Sequence, residues 1–322
     1  PNLGTARQSM ASIGKTVGTA VAIPGIVAPA ATEEFNQSAN VITAGAWASG
    51  GAMGTARYQI GGCGTQTAGL AWGGYSGPVY PFSGTEEYNG ASWTAGGAIT
   101  TGRWQLSTGI GTQTAAVSAG GNSPAGNYGN LCDEYNGASW TVQNTLNTSR
   151  SYTAGFGVET AGVIAGGSTS PVTNVTEEYN GASWATVPGT LVSARYGSAA
   201  GIESAGLFVA GWPASTLTEE YNGTIWTAGG AYPTGTQAIF SMGTQIDALA
   251  AGGKTSPTAA SNTSNGYDGT AWSTRPSLAT ARGSGASAGT AAAALIGGGW
   301  DSAPALGTTA TEEFTGETTA AN

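Results

Sequence analysis

The sequence predicts an all-β fold, a seven-bladed β-propeller of four-stranded antiparallel blades, and three observations support this prediction. The nonapeptide Thr-Glu-Glu-Tyr-Asn-Gly-Ala-Ser-Trp occurs intact at 85–93 and 176–184, and variants of it recur along the chain. Its aromatic residue returns at spacings of 53, 47, 44, 42, 46 and 47 residues. Each repeat contains four short strand patterns between turn signals and almost no helical periodicity, as in a propeller blade. The repeated aromatics are Phe35, Tyr88, Tyr135, Tyr179, Tyr221, Tyr267 and Phe314.

The third repeat shows the strand pattern that is typical of all the repeats. Residues 104–110 and 115–119 are small or apolar and flank the turn Gly111-Thr112-Gln113. After a longer connection, Asn136-Gly137 stands between residues with β propensity, which is the strongest short hairpin signal. The repeat therefore predicts two short antiparallel hairpins.

The hairpin also predicts a register. An Asn-Gly two-residue turn places Tyr88 opposite Ala91 and Glu86 opposite Trp93, so Glu86, Tyr88 and Trp93 are expected to share one face. The first acid of each motif is thereby placed among aromatic side chains.

The repeats fill the 322 residues, which predicts one domain. Leu3 to Arg7 match Met53 to Arg57, so the chain is expected to begin in the linker entering a first strand, and no strand needs to be shared between its two ends. The expected blades are approximately 1–52, 53–99, 100–146, 147–191, 192–232, 233–278 and 279–322.

Composition excludes several classes of function. The net charge is −9, and 12 of the 18 acids occupy the paired acidic positions of the motif. This balance disfavours nucleic acid as a partner, and no apolar run is long enough to span a membrane. The chain has no histidine, and Cys63 and Cys132 fall at unmatched repeat positions. They are expected to be unpaired, and we predict no metal, cofactor or catalytic residue.

Arginine begins the first strand of six repeats, and the sixth repeat has Gly235-Thr236 instead. The same repeat has Asn265-Gly266 in place of its acidic pair. This joint loss predicts a structural ion pair in each blade, since removing one partner of a semi-buried pair costs ~3–5 kcal/mol. A ring of ligand-binding arginines is the alternative. The predicted pairs join Arg57 to Glu86, Arg103 to Asp133, Arg150 to Glu177 and Arg195 to Glu219.

The repeat resembles the kelch repeat in the order of its features. These are an arginine, a strand, a turn, a second strand ending in Gly-Gly, a variable loop, Glu-Tyr, a tight turn and Trp. The resemblance is carried by the same set of residues in three consecutive repeats: Arg57, Gly73-Gly74, Glu87-Tyr88 and Trp93 in the second; Arg103, Gly120-Gly121, Glu134-Tyr135 and Trp140 in the third; and Arg150, Gly166-Gly167, Glu178-Tyr179 and Trp184 in the fourth. The Gly-Gly is replaced in repeats one and five, and the Tyr-to-Trp turn is shorter than in typical kelch modules. The motif, with Gly-Thr-Gln-Thr-Ala turns at 64–68 and 111–115, also looks like kelch-like proteins of bacteriophages of marine bacteria, which implies a virion surface or tail role.

Variable connections between the second and third strands are expected to share one face of the ring with the blade-to-blade linkers, and such loops usually carry specificity. Their aromatic residues are the candidates for contact with a sugar ring or a protein partner; the alternative is that they pack down their own loops. These candidates are Tyr75, Tyr80, Phe82, Tyr128, Trp212 and Trp300.

The first and last repeats are irregular, with Phe for Tyr and with Asn40 and Thr319 at the Trp position. This pattern indicates either relaxed packing at the seam or outer strands covered by another chain.

The sequence thus favours a non-enzymatic structural or adhesion module on a virion or other extracellular surface, within a larger assembly, binding a neighbouring subunit or a host glycan. A cytoplasmic kelch adaptor for a protein partner and a glycan-active enzyme are the alternatives.

Overall fold

The computed structural model describes residues 11–16, 19–23, 33–36, 40–77, 81–106, 109–123, 129–256, 259–301 and 307–321, with the backbone alone at 11–16, 19–23, 33–36, 40–42 and 319–321. Strands and turns make up these ranges, and no helix occurs in them. None of the described segments could therefore cross a membrane as a helix. The described chain forms two compact units, 1–44 with 317–322 and 45–316, which we call the terminal unit and the propeller unit.

The strands follow the chain in order. The first five are β1 (Ala11–Thr16), β2 (Thr19–Ile23), β3 (Glu33–Asn36), β4 (Asn40–Thr43) and β5 (Ala46–Ser49). Blade I contains β6 (Gly61–Thr65), β7 (Ala68–Trp72), β8 (Thr85–Tyr88) and β9 (Trp93–Gly96). Blade II contains β10 (Ile110–Thr112), β11 (Ala115–Ala119), β12 (Cys132–Tyr135) and β13 (Trp140–Gln143). Blade III contains β14 (Ala154–Val158), β15 (Ala161–Ala165), β16 (Thr176–Tyr179) and β17 (Trp184–Val187).

The second half continues the pattern. Blade IV contains β18 (Tyr196–Ile202), β19 (Ala205–Trp212), β20 (Thr218–Tyr221) and β21 (Trp226–Ala228). Blade V contains β22 (Phe240–Thr244), β23 (Asp247–Ala251), β26 (Ser264–Tyr267) and β27 (Trp272–Arg275), with a small β24 (Lys254–Ser256) and β25 (Ala259–Ala260) hairpin in its loop. Blade VI contains β28 (Ala286–Gly289), β29 (Ala293–Gly297), β30 (Thr311–Thr315) and β5, and β31 (Thr318–Ala321) follows it.

The propeller has six blades, so the prediction of seven was wrong, although the prediction of an all-β propeller with four-stranded antiparallel blades is confirmed. The last repeat takes its fourth strand from β5, which pairs antiparallel with β30 and sets Trp47 opposite Phe314. The ring therefore closes through a strand from the other end of the propeller unit, contrary to the expectation that no strand is shared. Trp47 supplies the tryptophan that Thr319 does not.

The first repeat is not a blade of this ring. Its strands form a three-stranded sheet in the order β1-β2-β3 within the terminal unit. In the same unit, β4 pairs with β31. These two strands hold Asn40 and Thr319, the two positions at which the repeat lacks its tryptophan.

The predicted register of the outer hairpin was also wrong. Tyr88 lies opposite Trp93, and Glu86 lies opposite Ala95. The loop has four residues because Asn89 Oδ1 accepts hydrogen bonds from the backbone N–H groups of Ala91 and Ser92, at 3.0 and 2.9 Å, and the Asn89 N–H donates to the Ser92 carbonyl. Side-chain capping by asparagine thus replaces the two-residue turn. Directly paired residues share a face, so Glu86, Tyr88 and Trp93 still lie on one face.

The apolar core lies between successive blades. One cluster joins Leu70 and Trp72 of blade I to Ala116, Tyr135 and Trp140 of blade II, and similar clusters fill the next boundaries. Towards the axis the inner strands approach closely: a Cβ on Gly62 would lie 2.5 Å from the Cβ of Ala286. The small residues of the first strands are therefore required by the convergence of the blades.

Candidate functional site

A buried arginine anchors the loop side of five blades. Arg57 Nη2 lies 3.1 Å from Glu86 Oε1, and Arg150 Nη2 lies 2.8 Å from Glu177 Oε1. The other pairs are Arg103 with Asp133, Arg195 with Glu219, and Arg282 with Glu312. Burial lowers the pKa of Arg57 to about 10, which leaves it charged at neutral pH.

These arginines also hold the ends of the variable loops. Arg150 Nη1 donates to the carbonyls of Gly166 and Val175, at 3.0 and 2.7 Å, where the loop between β15 and β16 leaves and returns. Arg57 does the same at Gly73 and Gly84. In blade V, Thr236 stands at the arginine position and Asn265 donates to the Tyr232 hydroxyl at 3.0 Å. The guanidinium groups are thus occupied inside the blades and are not exposed to a ligand.

The second acid of each motif links two blades. The hydroxyl of Tyr179 donates to Glu134 at 2.7 Å and that of Tyr221 donates to Glu178 at 2.6 Å. The same bond joins Tyr88 to Glu313, Tyr135 to Glu87 and Tyr267 to Glu220. Burial and the neighbouring carboxylate raise the pKa of Tyr267 to about 12, so the phenol remains a donor. Sequence reasoning missed this link, although Gly266 and Phe314 lose the acid and the hydroxyl together.

We call the face of the ring that carries the variable loops between the second and third strands the loop face, and the central opening on this face its mouth. A pair of positions at the mouth recurs in every blade. In each blade, one member of the pair is the residue directly after the arginine position. It forms an antiparallel β-bridge with the residue directly after the turn at the end of the second strand. We call these six pairs the mouth rim. They are Tyr58 with Tyr75, Trp104 with Asn122, Ser151 with Ser168, Tyr196 with Trp212, Gln237 with Lys254 and Gly283 with Trp300. The fold therefore brings to one rim side chains that are far apart in sequence.

In five blades, the residue directly after the first member of the rim pair adopts a left-handed backbone conformation. Gln59, Gln105, Tyr152, Ala238 and Ser284 have φ between 53° and 61°. Their peptides bridge the blades: Gln59 N–H donates to the Ser284 carbonyl at 2.5 Å, and Tyr152 N–H donates to the Gln105 carbonyl at 2.6 Å. Non-glycine residues in this region cost ~1–3 kcal/mol each and cluster at binding sites. A belt of strained residues thus surrounds the mouth.

Inside the rim lies a cavity of about 120 Å³, which we call the mouth pocket. Tyr152 stacks on Tyr196 with ring centroids 4.4 Å apart, and Tyr196 stacks on Trp212 at 5.6 Å and 6°. Gln59 Nε2 donates to the Tyr152 hydroxyl at 2.7 Å. Leu106 and Ile239 add apolar surface. The lining of the mouth pocket is mainly polar, with aromatic and aliphatic side chains beside several hydrogen-bonding groups, and concave sites with convergent polar groups are where small ligands usually bind.

The cation of the mouth pocket is Lys254, which comes from blade V. Its Nζ lies 3.6 Å from the centroid of the Trp300 ring. Desolvation lowers the pKa of this ammonium group. The Trp300 ring thus packs against the ammonium group of the pocket lysine.

The predicted aromatic candidates have different positions. Trp212 and Trp300 lie on the rim beside the mouth pocket, and Tyr75 lies on the rim against Tyr58, with centroids 5.2 Å apart. Phe82 packs on the Arg57 guanidinium at 5.0 Å, within its own blade. Tyr80 and Tyr128 lie outside the described residues.

Sequence reasoning missed the other residues of the site, namely Gln59, Tyr152, Tyr196, Gln237 and Lys254. The signal was present, because all five stand one or two residues after an arginine position or one after a Gly-Gly turn.

A second cavity of about 120 Å³ lies on the axis. It is lined by all six inner strands, mainly through glycine and alanine, and also by Cys63 and Met242. Both cysteines are free and buried, and burial raises the pKa of Cys132 to about 12. The described residues contain no cluster of three or more metal-binding side chains.

Fold and site together define an all-β, six-bladed propeller with a pocket at the mouth of the loop face. No protein-family model matches this chain, and no curated protein is significantly similar to it.

Proposed function

We propose that this protein is a non-enzymatic propeller that binds a glycan at its mouth pocket and acts as an adhesion module on an exposed surface such as that of a virion. The observation that carries the proposal is the stack of Tyr152, Tyr196 and Trp212 beside the amides of Gln59 and Gln237. Flat aromatic faces pack against the C–H faces of sugar rings, and amides exchange hydrogen bonds with sugar hydroxyls.

Binding without turnover fits the lining of the mouth pocket. Its lining residues include no Asp, Glu, His or Cys, the side chains that most often transfer protons in catalysis. Desolvation raises the pKa of Tyr152, so its hydroxyl stays protonated at neutral pH and serves as a hydrogen-bond partner.

A glycan array tests the binding. The labelled protein is expected to bind a defined subset of glycans, and Trp212→Ala is expected to weaken that binding at least tenfold by removing one ring of the stack. Ile246→Ala is the matched control, because Ile246 is 69% exposed in the turn between the first two strands of blade V, away from the loop face. Absence of any bound glycan would refute glycan recognition.

Imaging of the source assembly tests the location. Cryo-electron microscopy of native particles is expected to show a ring seated on the particle with its loop face outward. A ring found only free in solution would contradict an adhesion role.

A protein partner is the second candidate, and one observation favours it. Trp212 and Leu217, at the two ends of one loop, are 43% and 42% exposed. Neither residue is among those that line the mouth pocket. Loss of attachment to particles or cells in Leu217→Ala, together with an empty glycan array, would favour this second function.

A further inference from the structure

We infer that the mouth pocket takes a terminal sugar that carries a carboxylate, and that Lys254 holds the carboxylate. This inference rests on the proposed glycan binding and narrows it to one chemical class.

The charge of the mouth pocket is opposite to that of the protein. Its thirteen lining residues include one cation, Lys254, and no acid, whereas the chain has a net charge of −9. The motif acids of the blades have arginine or tyrosine as partners. Asp301, which follows Trp300, does not line the pocket, and its charge acts on Arg282. The local field at the mouth pocket therefore favours an anion.

Lys254 is held in place but lacks a counter-charge. Its backbone is fixed by two hydrogen bonds with Gln237, at 2.7 and 2.9 Å. Among the described residues, no carboxylate lies within ion-pair distance of its ammonium group, in contrast to the five paired arginines.

The only described partner of the ammonium group is the Trp300 ring, which compensates a desolvated charge in part. Desolvation also lowers the pKa of the Lys254 ammonium group. A ligand carboxylate would supply the missing charge, because a partly buried ion is stabilised by pairing.

The size of the mouth pocket limits the ligand to one end group. Its volume of about 120 Å³ is well below the ~300–1,000 Å³ of sites for drug-sized molecules. It is therefore suited to one sugar residue at the end of a chain. The stacked rings of blades III and IV would contact the sugar ring, while Gln59, Gln237 and Ser284 would contact its hydroxyls.

The test compares pairs of ligands that differ in the carboxylate alone. Methyl glycosides of glucuronic acid, galacturonic acid and N-acetylneuraminic acid are titrated by isothermal calorimetry beside their carboxyl-reduced alcohols. At least one acid is expected to bind ten times or more tightly than its alcohol. Lys254→Met is expected to abolish this difference, and Lys254→Arg is expected to retain most of it. Arg275→Met, which removes an exposed cation of blade V, is the control.

Each result decides the inference. Equal binding of acids and alcohols, or a preference that survives Lys254→Met in a folded variant, would overturn it and leave the proposed glycan binding intact. Failure of every glycan, neutral or acidic, on the array would instead refute the proposed function itself. Thermal unfolding of Lys254→Met and Lys254→Arg establishes that both variants are folded.

Discussion

At the scale of single residues, the bond between a tyrosine hydroxyl and the glutamate of the preceding blade shows how repeats constrain one another. Five boundaries have this bond. At the sixth, Gly266 replaces the acid and Phe314 replaces the tyrosine. A buried hydroxyl or carboxylate left alone costs ~1–3 kcal/mol or more, so loss of one favours loss of the other.

A double-mutant cycle at this boundary tests the coupling. Phe314→Tyr alone is expected to destabilise the protein by about 1–2 kcal/mol, because it buries an unpaired hydroxyl. Gly266→Glu has room if the end of the Arg275 side chain moves, since the new Cβ would lie 2.7 Å from Arg275 Nε.

The double variant is expected to be more stable than the sum of the singles by about 1–2 kcal/mol. Urea unfolding of all four proteins measures the coupling. Strict additivity would show that the acid and the hydroxyl do not interact.

The turn between the first two strands contains a second coupled position. Gln113 Nε2 donates to the carbonyls of Gly69 and Tyr88 in the preceding blade, at 3.0 and 2.7 Å. Gln66 and Gln245 make equivalent bonds. Glu159 occupies this position in blade III, and desolvation and then Glu134 raise its pKa. A carboxylate cannot donate to carbonyls, whereas a protonated carboxyl can.

Glu159→Gln is therefore expected to stabilise the protein at pH 7 by about 1 kcal/mol. Because the pKa is raised in the folded state, the wild-type penalty is present above the folded pKa and disappears as the pH falls through it. The gain from glutamine should shrink accordingly in acid. Thermal unfolding between pH 4 and 8 measures it, with Gln113→Glu as the matched control. Gln113→Glu should lower the stability of the protein at neutral pH, and this loss of stability should disappear in acid. If the change in stability were independent of pH in both variants, titration of a carboxyl group at this position would be excluded.

At the scale of elements, the fourth strand decides how each blade is completed. In blades I to V it follows the third strand through a four-residue loop, whereas in blade VI it is β5, distant in sequence. Trp47 packs on Phe314 with centroids 5.1 Å apart, and its Nε1 donates to Ser264 Oγ at 3.2 Å. The closing strand thus depends on side-chain packing, because no short loop holds it in place.

Trp47→Ala is expected to destabilise the protein by about 2–3 kcal/mol, somewhat below the ~3–5 kcal/mol for a fully buried tryptophan. Trp272→Ala is the comparison, since Trp272 packs on Tyr267 in the same way but within a local hairpin. Hydrogen exchange is expected to increase in β5 and β30 for Trp47→Ala, and in β26 and β27 alone for Trp272→Ala. Unchanged exchange in β5 would show that Trp47 does not hold the closing strand.

The sequence predicted the strands and the four-stranded antiparallel blades, because both depend on local patterns that recur, but it predicted seven blades where the structure has six. Gly-Gly turns, Asn-Gly loops and alternating small residues mark the strand ends in most repeats. It did not predict the register of the outer hairpin, since capping by Asn89 is set by hydrogen-bond geometry. It named Trp212 and Trp300 as candidates by their chemistry, but it did not name Tyr152 and Lys254, which line the mouth pocket and which the closure of the ring brings together.

At the scale of the whole molecule, the number of blades depends on where the tryptophans lie. A seventh blade would need fourth strands at 40–43 and 318–321 that pair with their own repeats, with Asn40 and Thr319 at the tryptophan positions. Use of β5 gives the sixth blade a tryptophan opposite Phe314. Burying an aromatic pair is more favourable than burying Thr or Asn there, so a sequence with seven repeats closes as six blades.

A disulfide across the closing pair tests this arrangement directly. Ala46 lies opposite Thr315, and both residues are exposed, so Ala46→Cys with Thr315→Cys should form a disulfide under mild oxidation. The bond would fix the ring into a closed loop and is expected to raise stability by about 2–4 kcal/mol, measured as a higher unfolding temperature that dithiothreitol reverses. Thr318→Cys with Thr315→Cys is the control pair, because Thr318 pairs with Thr43 in the other unit. Efficient oxidation of the control together with failure of the Ala46 pair would place β31 beside β30 and contradict closure through β5. Oxidation of the Ala46 pair alone would show that the strand carrying Trp47 completes the ring.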